Sequence, residues 1–126
     1  METIKRLGDA ELEIMQVLWG ASEPVTSGYI QEQLKGKRDW ALSTLMTTLA
    51  RLADKGFLLC DRSTRTNLYT PLITGSDYKA WESRGFLQRM HGGSLPRLVA
   101  CLCEDEGISR AELDELRRMI DTMEKE

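Results

Sequence analysis

Short, uncharged side chains recur at helical spacing between residues 42 and 55, on and beside the face opposite a stripe of leucines. Hydroxyl groups on such a face can form hydrogen bonds with base edges or phosphates in the major groove of DNA, and methyl groups can contact a thymine methyl. An ordinary solvated helix face shows the same pattern, so the spacing alone leaves both interpretations open. The candidate residues are Ser43, Thr44, Met46, Thr47, Ala50 and Arg51.

Cationic side chains flank this segment in the chain. Residues 35–65 contain seven basic and three acidic residues, a net charge of +4, although the whole chain has a net charge of −3. For phosphate binding, the local field matters more than the net charge. Alternatively, Arg62 and Arg65 could merely keep the tip of a hairpin soluble, and Trp40 could pack over a helix. The candidate contacts to the DNA backbone are Lys37, Arg38, Trp40, Arg62 and Arg65, of which Arg62 and Arg65 could instead enter the minor groove.

Cys101 and Cys103 form a Cys-x-Cys pair, which could bind a soft metal ion or sense redox state. Both lie in an apolar segment, where cysteine usually acts as a small buried hydrophobic residue, so we expect no metal site and no cofactor. His91 could pair with Cys60 in nucleophilic catalysis, but neither lies in a recognisable motif. Hydrolase, metalloprotease and nucleotide-binding motifs are also missing, and we expect no catalytic residues and no enzyme.

The composition is that of a globular protein, with 41% hydrophobic and 29% charged residues in a chain of 126. No apolar run reaches the roughly 18 residues of a membrane span, and no apolar region follows the N-terminal residues as in a signal peptide. Three cysteines are too few for a disulfide scaffold. We therefore expect a cytoplasmic protein without membrane contact.

The elements that must position the candidate residues follow from periodicity and turn signals. Asp9 and Thr26 are suited to cap the first two helices, and glycines are suited to end the first three. Two strand-like runs then flank a polar segment at 61–66, as in a hairpin. The predicted helices are 9–19, 26–34 and 42–55, and the predicted strands are 57–60 and 67–70. This order is typical of a winged helix-turn-helix, with the third helix and the wing directed at DNA.

The remaining residues are predicted to be entirely helical, with caps at Thr74 and Ser109. They are too few to bury a core alone, and a symmetric homodimer is the commonest solution. The fold class is therefore mainly α with a small β-hairpin: a winged-helix domain over 1–72 and a helical dimerisation domain over 73–126. The candidate dimerisation residues are Trp81, Phe86, Leu87, Leu95, Leu98, Val99, Leu102, Leu113, Leu116 and Ile120.

A series of short motifs in the same order resembles the BlaI/MecI penicillinase-repressor family, which also includes the copper-responsive CopY regulators. The resemblance covers nearly the whole chain. Its motifs are Leu7-Gly-Asp-Ala-Glu11, Met15, Leu18-Trp19, Asp39-Trp40, Thr44-Leu45-Met46-Thr47, Arg51-Leu52, Lys55-Gly56-Phe57, Tyr69-Thr70-Pro71-Leu72, Phe86-Leu87, Gly92-Gly93-Ser94 and Leu113-Asp-Glu-Leu116 with Ile120.

The resemblance implies a homodimeric repressor that binds an inverted repeat in double-stranded operator DNA. In the β-lactam branch, a membrane sensor protease signals and the repressor is cut within its dimerisation part. Ser43 and Met46 stand where β-lactam repressors often carry basic residues, and residues 100–103 differ from the family's cleavage region. Neither an operator sequence nor a cleavage site is therefore carried over.

Two alternatives stay open. The first is a metal-responsive repressor of the CopY type that uses Cys101 and Cys103, although this chain has one Cys-x-Cys pair where those regulators have two. The second is a winged-helix module that binds only proteins, since a fold alone does not determine function.

Overall fold

The computed structural model describes residues 4–104 and 107–125. By its internal contacts the chain divides into two compact units, Met1–Glu82 and Ser83–Glu126. The described residues form eight elements in the order α1 (Asp9–Gly20), α2 (Ser27–Gln33), α3 (Leu42–Asp54), β1 (Leu58–Asp61), β2 (Leu68–Pro71), α4 (Gly75–His91), α5 (Leu95–Cys103) and α6 (Arg110–Glu124). The predicted fold class, mainly α with one β-hairpin, is confirmed. None of the helices described is long and apolar enough to cross a membrane.

Hydroxyl side chains cap the N-termini of four helices. Thr26 Oγ1 accepts a hydrogen bond from the backbone N–H of Tyr29 at 3.1 Å. Thr74, Ser94 and Ser109 accept equivalent bonds at 3.1, 3.2 and 3.1 Å. Each bond satisfies a donor that the first helical turn leaves unpaired. The caps predicted at Thr26, Thr74 and Ser109 are therefore confirmed.

The start of α1 differs from the prediction. Gly8, and not Asp9, is the N-cap residue, and Asp9 is the first residue of the helix. Glycine has no side chain with which to cap the helix. The neighbouring bond runs the other way, because the Gly8 N–H donates to Glu11 Oε1 at 3.0 Å. Asp9 stays in the first turn, where the helix dipole favours an anion.

The two strands pair in antiparallel register, with Leu58 opposite Pro71 and Cys60 opposite Tyr69. Each strand begins and ends one residue later than predicted. Val25, just before α2, pairs with the other edge of β2: its N–H donates to the Tyr69 carbonyl at 3.1 Å, and its carbonyl accepts from the Tyr69 N–H at 2.7 Å. A single bridging residue has no strand pattern, so the bridge between Val25 and Tyr69 was not predicted from the sequence.

The core of the first unit is built from hydrophobic side chains of its helices and hairpin. The stripe of Leu45, Leu49 and Leu52 on α3 is fully buried, as predicted. On α1, Ile14 is buried and Trp19 is partly buried against the core. No polar or charged side chain is buried among the residues described. The buried residues are Leu7, Ile14, Met15, Leu18, Val25, Ile30, Leu34, Leu45, Leu49, Leu52, Phe57, Leu58, Tyr69 and Tyr78.

The first part of α4 packs in the first unit, beyond the domain boundary predicted after residue 72. The Tyr78 hydroxyl accepts a hydrogen bond from the Leu7 N–H at 2.7 Å, and the indole N–H of Trp19 donates to the Ile73 carbonyl at 2.8 Å. Trp81, a candidate dimerisation residue, packs against the same core. The sequence could not separate Tyr78 and Trp81 from Phe86 farther along α4, because one continuous helix carries all three.

The second unit buries no hydrophobic side chain within the residues described for it. Gly92 and Gly93 separate α4 from α5 with φ values of 59° and 82°, a conformation that glycine adopts without a steric penalty. Cys101 and Cys103 are exposed, so the expectation that they are buried is wrong for the single chain. The exposed large hydrophobic residues of this unit are Phe86, Met90, Leu95, Leu102, Met119, Ile120 and Met123.

Candidate nucleic-acid interface

The turn between α2 and α3 orients the candidate contact helix. The Leu34 carbonyl accepts from the backbone N–H groups of Lys37 and Arg38 at 3.0 and 2.8 Å, which closes the end of α2. Because the leucine stripe of α3 faces the core, the opposite face of α3 is left to solvent. The exposed candidates on that face are Ser43, Thr44, Thr47, Ala50 and Arg51.

The threonine hydroxyls of α3 already donate hydrogen bonds within the helix. Thr47 Oγ1 donates to the Ser43 carbonyl at 3.0 Å, and Thr48 Oγ1 donates to the Thr44 carbonyl at 2.9 Å. Such bonds to the carbonyl four residues earlier are common for threonine in helices. In this conformation Thr47 therefore presents a methyl group and an acceptor oxygen to a ligand, and not a hydroxyl donor.

The loop between the strands is held by its own polar side chains. Asp61 Oδ1 accepts from the Ser63 hydroxyl at 2.6 Å and from the Ser63 N–H at 2.8 Å, and these bonds lower the pKa of Asp61. The Thr64 hydroxyl donates to the Thr66 carbonyl. This Asx-type turn orders the start of the loop and leaves its arginines exposed.

Four of the candidate cations form no salt bridge among the described residues: Lys37, Arg51, Arg62 and Arg65. Arg38 differs, because its Nε lies 2.8 Å from Glu13 Oε1 on α1. This hydrogen bond raises the pKa of Arg38 and lowers the pKa of Glu13. A phosphate contact by Arg38 would have to compete with the Glu13 carboxylate, and this competition was not visible in the sequence.

Glu11 forms a second link between α1 and α3. Its Oε2 lies 2.8 Å from Lys55 Nζ, just after α3, while its other oxygen accepts from Gly8. Partial burial alone would raise the pKa of Glu11, but the hydrogen bonds from Lys55 and Gly8 outweigh it and lower the pKa. Together with Glu13, this residue links α1 to both ends of the segment that carries α3.

Trp40 is partly buried and packs against the core, which was one of its two predicted roles. Its carbonyl accepts from Gln31 Nε2 at 2.9 Å. The indole N–H is buried and has no hydrogen-bond partner among the residues that the structure describes. The ring of Trp40 therefore anchors the segment that leads into α3 to the core. A contact from Trp40 to DNA stays a prediction.

A cleft of about 130 Å³ separates α3 from the hairpin. Met46, a candidate base contact, is partly buried here and its Sδ lies 3.8 Å from the Tyr69 hydroxyl. Tyr69 is not among the candidate residues predicted from the sequence, although strand alternation would have placed it on the same face as the paired Cys60. The cleft is lined by Met46, Leu49, Ala50, Ala53, Asp54, Cys60, Arg62, Asn67 and Tyr69.

The described residues contain no group of three or more histidine, cysteine or acidic side chains that could hold a metal ion. The chemistry available in the first unit is instead that of a surface. Ala50 from the exposed face of α3 and Arg62 from the hairpin loop line one cleft, so an uncharged helix face lies next to a cation. Such a combination suits a ligand with both apolar or hydrogen-bonding edges and negative charges.

The family model described as the penicillinase repressor matches residues 7–122. The penicillinase repressor of Bacillus licheniformis is 36% identical over 121 residues, which cover 96% of this chain and 94% of that protein. The methicillin resistance regulatory protein MecI of Mammaliicoccus sciuri is 30% identical over 114 residues, with coverage of 90% and 92%.

Two solved structures resemble part of the fold. The solution structure of the DNA-binding domain of the repressor BlaI aligns with a TM-score of 0.52 and 37% identity, over 62% of this chain and 94% of that one. The monomeric form of Bacillus licheniformis BlaI in complex with the blaP half-operator aligns with a TM-score of 0.51, with the same identity and coverage.

Proposed function

This chain belongs to the penicillinase repressor family, and from that membership we propose that it is a homodimeric transcriptional repressor that binds an inverted-repeat operator through α3 and the hairpin loop. The observation that carries the proposal is the position of Ala50 and Arg62 at one cleft, which makes the helix face and the loop neighbours. The half-operator complex of the similar BlaI supports DNA as the ligand.

The helix face and the loop have different roles in this proposal. Ser43, Thr47 and Ala50 carry no charge, so they contribute specificity through base edges and thymine methyls. Arg62 and Arg65 contact phosphates and contribute affinity that falls as salt rises. Lys37 and Arg51 extend the cationic rim, whereas Arg38 stays on Glu13 until a phosphate displaces that carboxylate.

Dimerisation belongs to the second unit. The apolar side chains that α5 and α6 leave exposed are suited to a second copy of the same surface, and a two-fold axis is the usual symmetry of soluble dimers. Two first units joined in this way would occupy two half-sites of an inverted repeat. Leu98, Val99, Leu113 and Leu116 are partly buried and extend the exposed apolar set of this surface.

The proposed inducing signal is linked to β-lactams or cell-envelope stress, with release by proteolytic inactivation. The names of the relatives, a penicillinase repressor and a methicillin resistance regulator, support this class of signal. A sensor-linked protease would then be the second protein partner. Exposure of the whole protein to the matching sensor protease, followed by mass spectrometry, identifies a cut if one is made.

The decisive experiment titrates the protein against its own promoter duplex and a scrambled duplex by fluorescence anisotropy at several salt concentrations. We expect tighter binding to the promoter, and binding to both duplexes should weaken as salt rises. Equal binding to both duplexes would exclude sequence-specific repression. The absence of binding at low salt would favour the protein-interaction module.

One observation favours a metal-responsive repressor as a second candidate function. The thiols of Cys101 and Cys103 are both exposed at the end of α5, where a soft metal ion could reach them. In this alternative, copper(I) or zinc would release the protein from DNA. The titration above, repeated with each metal, distinguishes this alternative from proteolytic release.

A further inference from the structure

Tyr69 contacts three parts of the first unit: the segment before α2, the strand β1 and the helix α3. Its backbone forms both hydrogen bonds of the bridge to Val25, which directly precedes the cap of α2. On the opposite edge it pairs with Cys60 of β1. Its hydroxyl reaches Met46 Sδ on α3 at 3.8 Å, and the residue is only 3% exposed. Tyr69 thus joins the hairpin to the segment before α2 through its backbone, and to α3 through its side chain.

The surroundings keep the hydroxyl protonated. Burial raises the pKa of Tyr69 above its ordinary value of 10.0, and the Cys60 thiol acts in the same direction. Asn67 and the charge of Arg62 act in the opposite direction but do not reverse the shift. At neutral pH the hydroxyl is protonated and can donate to Met46, at the cleft that Arg62 also lines.

We propose that Tyr69 is a positioning residue for operator binding: its hydroxyl locks the hairpin against α3 so that the loop arginines and the helix face meet DNA as one preformed surface. This inference rests on the proposed function. An isolated hairpin with strands of four residues is marginal at best, so its orientation depends on what it packs against. A loose hairpin would have to be ordered during binding, which lowers affinity.

Tyr69→Phe tests the hydroxyl while keeping the ring. We expect operator affinity to fall about twofold, because a contact of 3.8 Å to a thioether sulfur is a weak hydrogen bond. Because the loop arginines would then contact phosphates only part of the time, the dependence of log affinity on log salt should become shallower, by up to about one unit. A change that only destabilised the fold would lower the unfolding midpoint and leave this salt slope unchanged.

Tyr78→Phe is the matched control. Tyr78 is also a buried tyrosine of the first unit, and its hydroxyl accepts a hydrogen bond from the Leu7 N–H. It does not line the cleft between α3 and the hairpin. We expect Tyr78→Phe to lower the unfolding midpoint and to leave the salt slope of operator binding unchanged.

A double-mutant cycle with Arg62→Ala identifies the route of the effect. If the hydroxyl acts through the loop, Tyr69→Phe costs less affinity in the Arg62→Ala protein than in the wild type. Fully multiplicative losses, or a wild-type salt slope in Tyr69→Phe, would overturn the inference. If the wild type fails to prefer its promoter, the proposed function itself fails, and this outcome is distinct because it precedes any variant.

Discussion

The two compact units differ in how far they bury their apolar side chains. The first unit encloses hydrophobic side chains from its helices and hairpin, and Ile14, Leu45 and Leu49 are completely inaccessible to solvent. The second unit has helices that are just as well capped, but no hydrophobic side chain is buried in the part described. Good helical signals therefore do not indicate a complete domain, because helix formation is local whereas a core needs enough packed layers.

The largest expected effect separates the two units by truncating one leucine in each. Leu49→Ala creates a cavity in the first unit and should lower its free energy of unfolding by about 2–5 kcal/mol. Leu102→Ala, on the exposed face of α5, should change the same quantity by less than about 0.5 kcal/mol.

Urea titrations followed by tryptophan fluorescence make this measurement. All three tryptophans, Trp19, Trp40 and Trp81, lie in the first unit, so their signal follows the unfolding of that unit. Similar losses for both leucine variants would show that the two units unfold as one. The conclusion that only the first unit has its own core would then be wrong.

The next effect concerns the second copy of the chain proposed as partner of the second unit. Leu116→Asp combined with Ile120→Asp places charges on the apolar face of α6, where burial without a partner is costly. We expect light scattering to give the monomer mass of 14.3 kDa. Operator affinity should fall by about 100-fold, because the first units of two chains no longer bind as one molecule.

Arg118→Glu is the control for charge alone, because Arg118 is exposed and lies on the side of α6 opposite Leu116 and Ile120. It should leave the dimer intact. A wild type that is already monomeric at micromolar concentration would contradict the proposed role of the second unit.

Within the first unit, Thr47→Ala should cost roughly 1–3 kcal/mol at the operator and little on scrambled DNA, with an unchanged salt slope. Thr48→Ala is the control, because it removes an equivalent bond to a helix carbonyl away from the exposed face. Arg65→Ala should weaken binding to both duplexes and reduce the salt slope by about one unit. Equal losses on both duplexes for Thr47→Ala would mean that this face does not contact bases.

A smaller effect is expected from the ion pair between Glu11 and Lys55. The pKa of Glu11 is lower in the folded protein than its ordinary value of 4.5, so its stabilisation is fully present above about pH 4.5 and is lost as the pH falls through the folded pKa. Glu11→Gln should therefore lower stability at pH 7, by less than about 1 kcal/mol because the pair is near the surface, and this difference should be smaller at pH 3. Urea midpoints at both pH values measure it, with Glu23→Gln as the control.

No loss is expected when Cys101 and Cys103 are both changed to Ser. Both thiols lie in the second unit, outside the face proposed to contact DNA. Operator affinity should equal that of the wild type, with or without zinc or copper(I). Release of the wild type by metal, with retention of the variant, would instead establish the metal-responsive alternative.

Local patterns in the sequence sufficed to predict most elements of this protein. Thr26, Thr74 and Ser109 cap helices as predicted, the leucines of α3 are buried, and the hairpin lies within one residue of its expected position. Each of these features depends on residues only a few positions apart, so spacing and side-chain type determine them. The ordered motifs likewise sufficed to predict the family.

Contacts between distant parts of the chain were decided only by the tertiary structure. Arg38 pairs with Glu13 across 25 residues, Tyr69 reaches Met46 across 23, and Tyr78 accepts from Leu7 across 71. These contacts paired one candidate cation with a carboxylate, turned a candidate base contact toward the hairpin and assigned the start of α4 to the first unit. No local pattern encodes them, because they depend on which faces meet once the core has packed, and a helix surface leaves several faces of similar polarity to choose among.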